Sequence, residues 1–158
     1  MKLAIGAITL MTLTAAIYAA IPRSVRNNNP LNIRLSNNQW DGKVSGNDSA
    51  FEKFETPVYG FRAAGKILIN YQKLYGLTTI EQIINRWAPP SENETTSYIN
   101  HVAAELGVNA NTQLSLTENT LAKLMHVMST HETGRLLGKW EYFSYGQALA
   151  GAQLALKT

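Results

Sequence analysis

Cysteine is missing from this 158-residue chain. Its absence excludes a disulfide scaffold, a thiolate nucleophile and a cysteine-based zinc site together. Charge is sparse at 16%, and no stretch gathers Lys and Arg as a nucleic-acid arm would. The net charge of +3 and pI near 9.2 therefore read as a solvated, mildly basic surface that also suits a polyanionic partner. Internal repeats and low-complexity linkers are lacking too. What is present, 45% hydrophobic residues, is enough for one packed core without staples.

The first feature of note is a run without charge from Leu3 to Ile21, preceded by Lys2 and closed by Pro22, Arg23 and Arg26. At 1.5 Å per residue a helix over it reaches roughly 28 Å, close to the thickness of a bilayer's hydrocarbon. It shows no amphipathic stripe, so a membrane signal explains it better than a core helix. Ala19 or Ala20 could precede a cleavage site, although the run is long for a cleaved signal. Much of it is Ala, Gly and Thr, which makes it a marginal resident of hydrocarbon. The chain thus divides into a signal or signal-anchor over residues 1–22 and one domain over 23–158.

That domain reads as a small β-lobe followed by helices. Val25 to Ser36 reads as loop and then extended chain: Arg26-Asn27-Asn28-Asn29-Pro30 is not helical, and Leu31 to Leu35 alternates. Asn37-Asn38 and Asp41-Gly42 are turns flanking short strands at Gln39–Trp40 and Lys43–Val44. Thr56-Pro57 opens a helix that Gly76 ends. Thr79 with Gln82 makes a capping box for Ile80–Trp87, and Ser91 with Glu94 repeats the device for a helix closed by Gly107. Thr117 caps a helix running to Gly134, and an Ala-rich helix covers Tyr145–Leu156. The expected class is α+β: mostly helical, with a β-hairpin lobe and an N-terminal hydrophobic helix.

Three groups of residues are suited to chemistry. The stripe Leu121, Leu124, Met125, Met128 continues to His131 and Glu132, which sets Glu132 on or beside the buried face at the end of its helix. The negative end of the helix dipole and partial burial both raise a carboxyl pKa, as a general acid near neutral pH requires. An exposed Glu132–Arg135 pair at i, i+3 is the plainer alternative. His131-Glu132 also begins a metalloprotease motif, but the second histidine would fall at Arg135 and His126 is off-phase, so no metal is expected. The second group, Asn27 to Arg34, places amides and an arginine in a composition suited to sugar hydroxyls and acetamido groups. The third, Phe54 to Ala63, joins lobe to helix and carries Tyr59 and Arg62.

Asn29-Pro30-Leu31-Asn32-Ile33-Arg34, a hairpin, and Phe54 with Phe61 opening a helix resemble phage muralytic proteins of the lysozyme-like superfamily, in its glucosaminidase and transglycosylase branch. There the catalytic Glu precedes the Asn-rich stretch. Here Met128 to Gly134 matches that motif instead, which implies a circular permutation. The resemblance spans residues 26–156 and implies cleavage of peptidoglycan glycan strands, with Glu132 as acid and Asn29, Asn32, Arg34, Tyr59, Arg62 and Tyr145 toward the sugar. It implies no cofactor and no nucleic acid. The expected partners are peptidoglycan, the inner membrane through residues 3–21, and other virion or lysis proteins; the expected place is the inner membrane facing the periplasm, the periplasm after release, or the virion. A second carboxylate among Asp41, Asp48, Glu52 and Glu55 stays unassigned, so hydrolase and transglycosylase remain open. So do cross-link endopeptidase and a non-catalytic virion structural protein.

Overall fold

A computed structural model describes residues 21–91, 94–133 and 141–157. Among the described residues the chain forms six helices: α1 (Arg23–Arg26), α2 (Pro57–Tyr75), α3 (Ile80–Trp87), α4 (Thr95–Leu106), α5 (Glu118–Glu132) and α6 (Tyr145–Leu156).

Their ends follow local chemistry. Pro57 sits in the first turn of α2, and Gly76 stops it in the left-handed conformation at φ 64°. Thr79 and Gln82 form the reciprocal capping box on α3. Thr117 caps α5 by accepting from the Thr120 N–H at 3.2 Å, and Ser144 with Gln147 boxes α6. The box expected from Ser91 and Glu94 does not form: Glu94 precedes α4 without a side-chain cap bond. Instead the Thr95 hydroxyl donates to the Ala88 carbonyl at 2.6 Å, tying α4 to the end of α3.

Phe61, Leu68, Ile80, Ile83, Ile84, Leu121, Leu124, Met125 and Met128 make a core closed to solvent. Each such side chain contributes on the order of 2 kcal/mol by leaving water. Helix α6 lies close against α2 because its contact face is small: a Cβ at Gly151 would fall 2.4 Å from the Phe61 Cβ.

The expected α+β class is overturned. Among the described residues there is no strand and no sheet, and the lobe shows only single antiparallel bridges, Arg34 with Phe51 and Lys43 with Phe54. Gln39–Trp40 and Lys43–Val44 do not pair as a hairpin. Trp40 and Lys43 close one tight turn by a 3.1 Å bond, with Gly42 at φ 69°. Around these bridges a few backbone bonds form, Leu35 to Ala50, Glu52 to Ile33, Val44 to Lys53 and Glu55 to Gly42, each at 2.9 Å, and side chains supplement them. The Asn29 amide donates to the carbonyls of Ile33 and Glu52, both at 2.9 Å, while its oxygen accepts from the Ile33 N–H. Glu52, wholly buried, accepts from the Ser36 N–H and hydroxyl and from Lys43. Asn28 donates to the carbonyls of Phe54 and Glu55. A second departure is α1 itself, a helical turn running into Val25 and Arg26 where loop was expected.

The expected N-terminal hydrophobic helix, over residues 3–21, lies outside the described residues except for Ile21, which is not helical. Among the described residues no helix is long and apolar enough to cross a membrane.

Candidate active site

Glu132 ends α5, and three other parts of the fold converge on its carboxyl. Asn32, from the loop after α1, donates its amide to Oε2 at 3.0 Å. The Tyr98 hydroxyl, from α4, donates to Oε1 at 3.1 Å. The Trp87 side chain, at the end of α3, adds a third hydrogen bond. Asn32 takes φ 50°, a left-handed backbone that asparagine tolerates better than most residues. That turn aims the amide back at α5.

A cavity of about 330 Å³ opens beside the carboxyl, walled by Leu31, Asn32, Arg34, Phe51, Trp87 and the Ala88-Pro89 turn. Burial pushes the Glu132 pKa up, while the bonds from Asn32, Tyr98 and Trp87 pull it down; burial dominates and the net direction is upward. The two influences have different uses. Burial favours the protonated carboxyl, and the three donors favour the carboxylate.

Behind the site, the His131 ring stacks on Tyr98 with centroids 3.7 Å apart and planes 11° from parallel. Burial, then neighbouring His101, lowers the His131 pKa. Tyr98 is pushed well above its ordinary value by burial and by the facing Glu132, so it stays a neutral donor.

The sequence candidates separate in space. Asn32 and Arg34 line the cavity with Glu132, and the Arg34 guanidinium lies 5.5 Å from the Phe51 ring centroid. Asn29 is wholly buried and holds the lobe together. Tyr59 packs at the Gly42 turn, where a Cβ would fall 2.2 Å from its ring. Arg62 pairs with Asp41 at 2.7 Å, and Tyr145 meets the His126 ring edge-on at 6.0 Å; none of these three lines the cavity. Arg135 and Gly134 lie outside the described residues. Tyr98 and Trp87 were not among the sequence candidates. The available signal was the polar end of a buried Tyr or Trp, which needs a partner.

The four carboxylates considered as a second group all stand elsewhere. Asp41 is taken by Arg62 and Glu52 by Lys43 and Ser36. Asp48 pairs with Arg23 at 2.8 Å, and Glu55 does not line the cavity. Among the described residues no group of three His, Cys, Asp or Glu is arranged to hold a metal ion.

No family model matches the chain. It is similar to Protein P5 of Pseudoalteromonas phage PM2, 44% identical over 116 residues that make up 71% of each chain. At that identity and coverage, the chain belongs to the family of this phage protein.

Proposed function

We propose that the chain cuts the glycan strands of bacterial peptidoglycan, with Glu132 as the catalytic acid. The observation that carries the reading is a carboxyl of raised pKa, set in a cavity and faced by three neutral donors. Its proton passes to the glycosidic oxygen, the C1–O bond breaks and the leaving sugar departs as an alcohol. Asn32, Tyr98 and Trp87 then stabilise the carboxylate.

Among the described residues that line the cavity Glu132 is the one carboxylate, which favours a route without a protein nucleophile. The substrate's own acetamido oxygen closes onto C1 as the leaving group goes. Glu132 then takes the proton of the C6 hydroxyl, whose oxygen displaces the acetamido group and leaves a 1,6-anhydro sugar. Residues 3–21 direct the chain to the inner membrane, and the wall-cutting part faces the periplasm.

A zymogram on purified peptidoglycan, with wild type beside Glu132→Gln, tests the activity. Clearing by wild type alone supports the reading, and equal clearing by both sinks it. Anhydro ends among the products support the single-acid route; reducing ends point to hydrolysis, and new free amines to cross-link cleavage.

A further inference from the structure

A groove of about 430 Å³ runs between the lobe and the C-terminal parts of α2 and α3. Trp40, Tyr71 and Tyr75 supply its aromatic surface, and Asn38 and Asn70 supply amides. Arg86 organises it: its guanidinium lies 3.9 Å from the Tyr75 ring centroid and 5.1 Å from that of Tyr71, and it hydrogen-bonds the Tyr71 side chain. Tyr75 is 54% exposed, which leaves part of its ring open to the groove. The groove adjoins the Glu132 cavity through the Tyr71 and Trp87 rings, whose centroids are 6.3 Å apart.

We propose that this groove is a second saccharide site, holding a part of an N-acetylated glycan strand remote from the bond that is cut. Aromatic faces pack against the C–H surface of a pyranose, and amides with a guanidinium match its hydroxyl and acetamido groups. Among the described residues that line the groove none is acidic, so it also accepts the carboxylates that cell-wall glycans carry. The proposal rests on the glycan reading of the Glu132 cavity, and its consequence is a preference for long strands over short ones.

Calorimetric titration of the full-length Glu132→Gln chain with N-acetylglucosamine hexasaccharide and disaccharide tests it. The hexasaccharide should bind at least about tenfold more tightly. Tyr75→Ala and Arg86→Ala, added singly, should remove that advantage and leave disaccharide affinity unchanged. Variants that are folded by circular dichroism and keep the advantage overturn the site, as does a parent chain with no preference for length. Failure of the two readings is distinguishable. A wild type that never clears peptidoglycan, but whose Glu132→Gln form prefers the hexasaccharide through Tyr75, loses the activity and keeps the groove. A chain that clears peptidoglycan with no length preference does the reverse.

Discussion

Asn32 and Glu132 stand 100 positions apart in the chain, yet the amide of one donates to the carboxyl of the other at 3.0 Å. The bond joins the loop before the lobe to the last turn of α5. It also opposes the effect of burial on the same carboxyl, since a donor favours the charged form. The balance between these two influences sets how the acid responds to substitution and to pH.

Glu132→Gln keeps the shape of the side chain and loses its proton, so turnover on peptidoglycan should fall by at least about 10²-fold. Stability should move the other way. Folding raises the Glu132 pKa, so its favourable contribution is complete below the unfolded pKa and is lost as pH rises through the folded one. At neutral pH the Gln variant, free of that loss, should melt no lower than wild type, and the difference should shrink on acidification. Thermal melts at several pH values check both statements; a Gln variant that melts well below wild type at pH 7 contradicts the account of burial.

Asn32→Gly keeps the left-handed backbone and removes the amide. Losing a donor to the carboxylate raises the Glu132 pKa further, so the fall in activity at high pH should shift to higher pH. Maximal rate should drop by about tenfold, the worth of one hydrogen bond to a charged group. Asn32→Ala should do the same and add about 1 kcal/mol of backbone strain at φ 50°. A pH–rate profile unmoved by Asn32→Gly would show that the bond does not influence the acid.

Tyr98→Phe retains the stack on His131 and removes the hydroxyl 3.1 Å from Glu132. The expected cost in stability is about 1 kcal/mol, and the pH–rate profile should shift in the same direction as for Asn32→Gly. Denaturant unfolding with a pH–rate series separates the two effects. A large loss of stability with an unmoved profile would make Tyr98 a packing residue only.

Asp48 governs a different pH window. Burial alone would raise its pKa, but the Ala50 N–H, the Asn27 amide, the Phe51 N–H and Arg23 together bring it from 3.8 down to about 2. Its contribution is present above the unfolded value and is lost as pH falls through the folded one. Wild type should therefore lose stability between about pH 4 and pH 2, and Asp48→Asn should be less stable at neutral pH and flatter across that window. Parallel acid titrations by circular dichroism would contradict this.

The helices were readable where punctuation is local. Thr56-Pro57, Gly76, Thr79 with Gln82, and Gly107 each act within a turn of their own position, and each marks an end that forms. The lobe was misread because alternation at Leu31 and Ile33 is what a strand would show, and both residues are indeed buried. What alternation does not carry is that backbone pairing here stops at single bridges, with the side chains of Asn29 and Glu52 binding the backbone and side chains around them. The asparagine run was likewise ambiguous: Asn27, Asn28 and Asn29 bind the protein itself, and only Asn32 turns to the cavity. Glu132 was legible from helix register. Its donors Tyr98 and Trp87 were not, because an aromatic residue at helical spacing reads as core and its single polar atom leaves no trace in the periodicity.

The acid sits in the last turn of α5, and its partners come from the loop after α1, the last residue of α3 and the first turn of α4. Trp87 and Tyr98 are close in sequence, but Asn32 and Glu132 lie far from both and from each other, so the site has no existence apart from the packed domain. Heat should therefore extinguish catalysis and tertiary structure at one temperature, with no partly melted species that still cuts, and a fragment lacking any one of those elements should be inert.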